Sequence, residues 1–202
     1  MLRVFLIRHG ETQWNVESKY LGSTDLGLTE RGKHQTLVLA RRLRGESLNS
    51  IYSGSSKRAL TTAQAIADIH GLEIKVLPQL NEINYGEWEG LTYDEINRDY
   101  PRFMERWTAG EEGLPPGGES LSSFKSRVSE GLQRVIGENA EGKVVMVTHA
   151  GPIRAIICEI LGLDFSNFWK IKQDSAALNI IDFYDKGGII SLLNDTCHLR
   201  WD

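Results

Sequence analysis

Residues 144–148 constrain the fold most, because they form an uninterrupted run of Val-Val-Met-Val-Thr. A run that is apolar at almost every position is typical of a strand buried on both faces, as in the middle of a parallel sheet. The residues after this run repeat apolar side chains at helical spacing, namely Ile153, Ile156, Ile157, Ile160 and Leu161. Parallel strands are joined by helical crossovers of this kind, so the pair predicts an α/β fold.

Strand-like and helix-like segments alternate along most of the chain. The patterns predict strands at residues 2–7, Ser50–Ser53 and 74–77, and helices at residues 29–44, Lys57–His70 and 121–135. Two late apolar runs, residues 178–183 and 189–193, flank Asp-Lys-Gly-Gly and are typical of a hairpin at a sheet edge. This order predicts a three-layer α/β sandwich, with a mostly parallel central sheet and helices on both of its faces.

The length of 202 residues suits one domain with a sizeable core. The alternation weakens between about residues 81 and 118, where two short helices near residues 92–98 and 102–108 precede Pro-Pro-Gly-Gly. We therefore expect a single domain over residues 1–202, with a helical and loop insertion at about residues 81–118 that covers one end of the sheet.

Composition excludes several classes of protein. No apolar run approaches the ~20 residues of a membrane span, so no membrane contact is expected. The net charge is −4 and lysines and arginines do not cluster, which argues against nucleic-acid binding. Cys158 and Cys197 are far apart and form no Cys-x-x-Cys motif. This usage indicates a reducing, cytoplasmic compartment and two small buried side chains, with no disulfide or zinc site.

Polar side chains follow three of the predicted strands at the point where each strand ends. Arg8 and His9 come after the first strand, Arg58 opens the helix after the second, and His149 follows the central strand. The carboxyl ends of parallel strands share one edge of the sheet, so these groups can converge there. Fixed cations beside an imidazole suit a phosphate that the imidazole attacks, and helix N-termini at the same edge add N–H donors.

These residue types also have structural interpretations. A lone histidine is usually hydrogen-bonded within the protein, and this interpretation fits His34, His70 and His198. By default Glu82 would be a surface carboxylate. The amide of Asn15 could stabilise a turn instead of donating to a phosphate oxygen.

Four short motifs, in order along nearly the whole chain, resemble the histidine phosphatase superfamily, which is also called the phosphoglycerate-mutase-like family. They are Leu6-Ile7-Arg8-His9-Gly10-Glu11-Thr12 with Trp14-Asn15, Ile51-Tyr52-Ser53 with Lys57-Arg58-Ala59 and Thr62-Ala63, Leu80-Asn81-Glu82-Ile83-Asn84-Tyr85-Gly86 with Glu89-Gly90-Leu91, and Val147-Thr148-His149-Ala150-Gly151. The resemblance implies a phosphoglycerate-mutase-like fold, an insertion that covers the active site, and a small-molecule phosphoester as the substrate.

The resemblance also implies a role for each matched residue. His9 would be the nucleophile that becomes phosphorylated, and Glu82 the general acid and base. The phosphoryl oxygens would be bound by Arg8, Arg58 and His149. The rest of the phosphate pocket would be formed by Thr12, Asn15, Leu21, Gly22, Ala150 and Gly151. The rest of the substrate would be contacted by Tyr85 and His198. Cationic side chains would neutralise the oxygen charge, so neither a metal nor another cofactor is expected.

The superfamily contains mutases as well as phosphatases. Its mutases usually carry a longer insertion with adjacent arginines, which residues 100–118 lack, so hydrolysis is favoured. The motif Pro116-Gly117-Gly118-Glu119-Ser120, the pair Phe168-Trp169 and residues 194–199 resemble α-ribazole-5′-phosphate phosphatases of cobalamin synthesis, which is the first expectation. The same features equally resemble metal-independent phosphoserine phosphatases, in which a C-terminal histidine, here His198, approaches the substrate.

Three further alternatives stay open at this point. They are a phosphatase of broad specificity, a cofactor-dependent phosphoglycerate mutase, and a non-catalytic module that binds a phosphorylated ligand. The last alternative is disfavoured because the complete set of expected catalytic residues is present, namely Arg8, His9, Arg58, Glu82 and His149. As a protein partner we consider a second copy of this chain, which would form a homodimer.

Overall fold

The computed structural model describes residues 1–111 and 115–200, in which one six-stranded sheet runs through the chain. The strands are β1 (Leu2–Arg8), β2 (Ser50–Ser53), β3 (Ile74–Val76), β4 (Gly142–Thr148), β5 (Leu178–Tyr184) and β6 (Gly187–Asp195). The helices are α1 (Gln13–Val16), α2 (Glu30–Leu43), α3 (Lys57–His70), α4 (Tyr93–Asp99), α5 (Pro101–Thr108), α6 (Leu121–Glu138) and α7 (Ala150–Leu161).

The sheet has the order β3-β2-β4-β1-β5-β6. Strands β1 to β4 are parallel to one another, whereas β5 is antiparallel to β1 and β6 is antiparallel to β5. The predicted mostly parallel sheet with an edge hairpin is therefore confirmed, and β4 lies in its middle. The strand predicted at residues 74–77 ends one residue early, at Val76, because Leu77 leads into a short 3₁₀ turn that starts at Pro78.

Side chains of the central strands alternate between two cores, one on each face of the sheet. Val4 and Leu6 of β1 point to the face covered by α6 and α7, together with Val144 and Met146 of β4. The intervening residues point to the face covered by α2 and α3, as the pleat of a strand requires. Two apolar faces need two helical layers, so the three-layer sandwich follows from the composition of the strands.

Short polar side chains cap the helices that surround the sheet. Thr29, Ser56 and Ser120 each accept a hydrogen bond from a backbone N–H in the first turn of α2, α3 and α6. Gly71 ends α3 in the left-handed conformation, with φ of 64°. These caps set where each helix begins. In α3 the first turn contains Arg58, one of the expected phosphate-binding residues.

The segment at residues 81–118 contains α4 and α5, as its sequence predicted. Its aromatic side chains pack inward, since Trp88 and Trp107 are 0% and 1% exposed, with ring centroids 5.4 Å apart. Residues 112–114 of the expected insertion, and residues 201–202 of the expected domain, lie outside the described residues. The described part of the segment is anchored on the same core as α6 and α7.

One expectation about the cysteines is wrong. Both are free thiols, but only Cys158 is buried, in α7, whereas Cys197 is exposed in a short 3₁₀ turn near the C-terminus. Cys197 follows β6, the last strand at one edge of the sheet, and so lies outside the core that buries Cys158. Across residues 1–111 and 115–200, none of the helices combines the length and apolar character needed to cross a membrane.

Candidate active site

His9 lies at the end of β1, where hydrogen bonds fix one of its ring nitrogens. Its backbone N–H donates to Thr148 O over 3.0 Å, which ties it to the end of β4. Its Nδ1 lies 2.7 Å from Gly10 O. A carbonyl oxygen can only accept, so Nδ1 carries the ring proton and Nε2 keeps its lone pair. The ring therefore offers an unprotonated Nε2 as a nucleophile.

His149, at the start of α7, has the opposite tautomer. Arg58 Nε, which can only donate, lies 3.3 Å from His149 Nδ1. The ring proton is therefore on Nε2, which lies 3.4 Å from Ser56 Oγ. The imidazoles of His9 and His149 pack edge to face, with ring centroids 5.0 Å apart. One ring thus presents a lone pair on Nε2, whereas the other presents an N–H there.

Both imidazoles are kept neutral by their surroundings. Burial, together with the charges of Arg58 and Arg8, holds the pKa of His9 well below its usual range. Burial and the Arg58 charge do the same for the pKa of His149. A neutral imidazole is the form that attacks phosphorus, so the site is poised for nucleophilic chemistry at neutral pH.

Arg58 is a buried cation that holds a loop in place. Its Nη2 donates to Gly22 O over 2.6 Å and its Nη1 to Thr24 O over 2.8 Å. The loop is also held from its outer side, because Glu89 accepts hydrogen bonds of 2.7 Å from the backbone N–H groups of Ser23 and Thr24. Burial lowers the pKa of Arg58. The guanidinium thus brings positive charge beneath the two histidines and shapes the loop beside them.

Arg8 brings a second positive charge to the same edge. Its Nη1 donates to Gln173 O over 2.6 Å. Its Nε is buried and has no hydrogen-bond partner within residues 1–111 and 115–200. Burial lowers the pKa of Arg8 to about 10, so the side chain is still cationic at neutral pH. A buried, unsatisfied donor on a cation is typical of a site that awaits an anion.

Glu82 is held against the first turn of α7. Its Oε2 accepts from Gly151 N over 3.0 Å, and its Oε1 accepts from Ile83 N over 2.9 Å. A Cβ atom at position 151 would overlap Glu82 Oε1. Glycine is therefore required at this position for the carboxylate to lie against the helix, and both carboxylate oxygens are oriented by backbone donors.

Three of these groups, Arg8, His9 and Glu82, line a cleft of about 430 Å³ at the carboxyl edge of the sheet, whereas Arg58 and His149 lie beside it. Several of the residues singled out in the sequence line it, namely Arg8, His9, Asn15, Leu21, Glu82, Tyr85 and Ala150. A smaller cavity next to it is lined by Gly22 and His149, and Glu82 lines both spaces. Glu82 therefore stands between the two cavities.

Some expected phosphate-binding residues act behind the cleft instead of facing it. Thr12 is fully buried, and its backbone N–H and Oγ1 both donate to Asn15 Oδ1, over 3.0 and 2.9 Å. This pair is the capping box of α1. Because its carbonyl oxygen is occupied, Asn15 has only its amide nitrogen left to donate to a ligand. The N–H of Gly151 is likewise engaged by Glu82.

The structure does not place His198 at the cleft, contrary to one expectation. Its Nε2 lies 3.1 Å from Ala176 O, and its Nδ1 lies 3.1 Å from Arg42 Nη1 on α2. Arg42 is held in turn by an ion pair of 2.5 Å with Asp195. These contacts fix the imidazole to the outer side of a loop whose residues Asp174 and Ser175 line the cleft.

Further lining residues were missed in the sequence. Arg154 lies on α7, and Tyr20 and Asp174 lie on loops. Helical spacing could have found Arg154, because it lies four residues after Ala150 and so on the same face of the helix. No sequence pattern marks Tyr20 or Asp174, since they reach the cleft only through the course of their loops. In the part of the chain that is described, no group of three or more His, Cys, Asp or Glu side chains is arranged to hold a metal ion.

Comparison with known proteins identifies the family. The model of the histidine phosphatase superfamily (branch 1) matches residues 4–196. The chain is 38% identical over 200 residues to phosphoserine phosphatase 1 of Hydrogenobacter thermophilus, and the match covers 98% of this chain and 95% of that protein.

Solved structures agree with the sequence match. A mutant phosphoserine phosphatase from Entamoeba histolytica, in complex with phosphoserine, has a TM-score of 0.89 at 31% identity, covering 98% of this chain and 100% of that one. A putative α-ribazole-5′-phosphate phosphatase from Escherichia coli has a TM-score of 0.87 at 27% identity, with 96% of both chains covered. The chain therefore belongs to the histidine phosphatase superfamily and is a phosphatase of that superfamily.

Proposed function

We propose that the protein hydrolyses phosphomonoesters through a phosphohistidine formed on Nε2 of His9. The observation that carries this proposal is the hydrogen bond of 2.7 Å between His9 Nδ1 and Gly10 O, which leaves Nε2 unprotonated in a cleft lined by Arg8. A pre-set tautomer removes the need to deprotonate the nucleophile before it attacks.

In the first step Nε2 of His9 forms a bond to phosphorus while the bond from phosphorus to the ester oxygen breaks. Arg8, Arg58 and the Nε2–H of His149 counter the charge on the phosphoryl oxygens. The amide nitrogen of Asn15 is a further donor that lines the cleft. Catalysis on this scheme is mostly positioning and charge stabilisation.

Glu82 supplies the proton transfers of both steps. In its protonated form the carboxyl group gives its proton to the leaving alkoxide, so that a neutral alcohol departs. The resulting carboxylate then takes a proton from water as the water oxygen attacks the phosphohistidine. Phosphate leaves, His9 returns to its neutral form and Glu82 is protonated again, which closes the cycle. Groups in this role contribute about 10²–10⁴-fold to the rate.

Rapid quenching with a ³²P-labelled phosphoester tests the proposal. We expect acid-labile label on the wild-type protein, no label on His9→Ala, and a loss of turnover of at least about 10³-fold in that variant. His34→Ala, which changes an exposed histidine on α2, is the control and should label normally. Full turnover by His9→Ala would refute the mechanism. Undiminished activity after dialysis against EDTA is also expected.

The leaving group is the finer part of the proposal. α-Ribazole 5′-phosphate, which would place the enzyme in cobalamin synthesis, is supported by the structural match to the putative α-ribazole phosphatase. Phosphoserine is supported by the higher identity to the Hydrogenobacter protein. A panel of both compounds with phosphoglycerates and sugar phosphates, ranked by kcat/KM, decides between them. Efficient interconversion of phosphoglycerates with little release of phosphate would favour a mutase. Tight binding of a phosphoester without turnover would favour a non-catalytic binding module.

A homodimer is a further part of the proposal. Within the described residues strand β6 pairs with β5 alone, which leaves one edge of the sheet open. Ile189 and Leu193 on this strand are 59% and 48% exposed. An edge strand of this kind is able to pair with a second copy. Light scattering, with Ile189→Lys as the comparison, measures whether the mass corresponds to two chains.

A further inference from the structure

Arg154 places in the cleft a positive charge that the proposed mechanism does not use. The side chain lines the cleft and is half-buried. Its Nε donates to Ile171 O over 2.8 Å. Its guanidinium carbon lies 5.5 Å from the ring centroid of Phe168 and 5.3 Å from that of Trp169. The head group is thus held by one hydrogen bond and two ring faces.

The other charged side chains of the cleft that the mechanism does not use already have ion-pair partners in the protein. Lys19 forms an ion pair of 2.7 Å with Glu17. Asp174 forms one of 3.0 Å with Lys172 and accepts from Asn194. Among residues 1–111 and 115–200, no carboxylate lies within ion-pair distance of Arg154. A guanidinium oriented in this way and lacking a counter-ion has two terminal nitrogens free for a ligand.

We propose that Arg154 determines specificity by binding a carboxylate on the leaving group of the substrate. This inference rests on the proposed function, because Arg8, Arg58 and His149 must hold the phosphoryl group for Arg154 to face the rest of the molecule. A carboxylate matches the fork of a guanidinium with two parallel hydrogen bonds. The stacked rings keep the fork oriented before the substrate arrives, which lowers the entropic cost of binding.

The inference separates the candidate substrates. The leaving group of α-ribazole 5′-phosphate is an uncharged riboside, which gives Arg154 no anion to bind. Phosphoserine and 3-phosphoglycerate both carry a carboxylate close to the ester carbon. The substrate class that fits the cleft is therefore the phosphate ester of a small hydroxy acid, including hydroxy amino acids.

Two pairs of matched substrates test the proposal. Phosphoserine differs from phosphoethanolamine only by its carboxylate, and 3-phosphoglycerate has a carboxylate where glycerol 3-phosphate has a hydroxymethyl group. We expect the wild-type protein to favour the carboxylate member of each pair by about 10- to 100-fold in kcat/KM, the range for a hydrogen bond to a charged group. We expect Arg154→Met to lose this preference by losing rate on the carboxylate members only, because methionine still packs on the rings.

Two further variants guard against a structural explanation. Arg154→Lys keeps the charge but not the fork, so the preference should fall part of the way. Lys19→Met removes a lining cation that already has a partner, and it should change both members of a pair equally. A selective effect of Lys19→Met on the carboxylate members would assign the preference to the general positive field, and so overturn the role of Arg154.

The outcomes distinguish this inference from the mechanism beneath it. Equal rates on both members of each pair in the wild-type protein, or an equal loss on both in Arg154→Met, would overturn the inference and leave the phosphohistidine mechanism intact. Turnover that survives in His9→Ala would overturn the mechanism whatever the substrate preference.

Discussion

At the scale of single residues, the chemistry of the site depends on which atom carries a proton. Gly10 O can only accept and Arg58 Nε can only donate, so two fixed partners give His9 and His149 opposite tautomers. The same chemical group thereby presents a lone pair on Nε2 in one position and an N–H on Nε2 in the other, which suits the nucleophile and the hydrogen-bond donor of the proposed mechanism. Neither role requires the imidazole to be charged.

Stability should depend on pH through these two rings. The pKa of each is lowered in the folded protein, whereas the unfolded chain has histidines near their usual value of about 6.5. The unfolded state therefore binds more protons below about pH 6.5, and the free energy of unfolding falls as the pH drops through that window. The two rings contribute up to about 1.4 kcal/mol per pH unit each.

Urea denaturation between about pH 5 and 7 measures this effect. His149→Gln removes one of the two rings, so its stability should fall less steeply with decreasing pH than that of the wild-type protein. The absolute stability of the variant does not matter, because the comparison is between slopes. Identical slopes would show that the buried rings do not govern the fall in the free energy of unfolding at acid pH.

Gly151 is expected to control the position of Glu82. In Gly151→Ala the new methyl group overlaps Glu82 Oε1 and displaces the carboxylate from the helix. We expect kcat to fall by about 10²-fold, as for the loss of a general acid. Gly137→Ala is a matched control, because Gly137 lies in α6 with no atom near its added Cβ, and it should stabilise the protein by roughly 0.5–1 kcal/mol. Normal activity in Gly151→Ala would exclude this role for glycine.

At the scale of elements, the long helix α6 holds the loop that carries Glu82. Arg127 on this helix donates to Gln79 O, Asn81 O and Glu82 O over 2.7 to 3.0 Å. It also forms an ion pair of 2.6 Å with Glu119, which precedes the helix. The Arg127 side chain therefore connects the loop that carries the proposed general acid to α6.

Removing this connection should affect both activity and stability. In Arg127→Met three backbone carbonyls lose a charged donor, so we expect the free energy of unfolding to fall by about 1–3 kcal/mol. We expect kcat to fall by about 10-fold, because the backbone that carries Glu82 is no longer fixed and its carboxylate is positioned less precisely. Arg134→Met on the same helix loses only an exposed ion pair with Glu138 and should cost less than about 1 kcal/mol. Equal behaviour of the two variants would refute the assignment.

The C-terminal elements act on the site from outside. His198 donates to Ala176 O, while the N–H of Ala176 donates to His9 O over 3.0 Å. The short C-terminal turn thus supports the loop behind His9 without entering the cleft.

At the scale of the whole molecule, the two cores share the central strands. Each of β1 and β4 sends alternate side chains into the core under α6 and α7 and into the core under α2 and α3. Neither core can lose its packing without disturbing the strands on which the other is built. We therefore expect the described part of the chain to unfold as one cooperative unit.

A substitution on one face should be detected from the other. Leu39 on α2 is fully buried, and Leu39→Ala is expected to cost about 2–5 kcal/mol. Trp88 and Trp107 lie in the opposite core, so their fluorescence reports on a face that the substitution does not touch. The urea midpoint measured by fluorescence should shift as far as the midpoint measured by circular dichroism. An unshifted fluorescence midpoint would indicate two independent units.

The sequence by itself determined the elements and much of the site. Strand and helix periodicities are local properties, so the runs that became β1, β4, α3 and α7 could be recognised without knowledge of their neighbours. A parallel sheet brings strand ends to one edge by its topology, which is why Arg8, His9 and His149 could be expected to converge.

Only the tertiary structure decided what depends on residues distant in sequence. The tautomer of His149 is set by a donor from α3, and the position of Glu82 by a backbone N–H on α7. The packing of loops and helix faces decides three further features. It leaves Cys197 exposed, places His198 outside the cleft and places Arg154 within it. Local patterns carry no information about these contacts, because the partners are joined by folding and not by spacing along the chain.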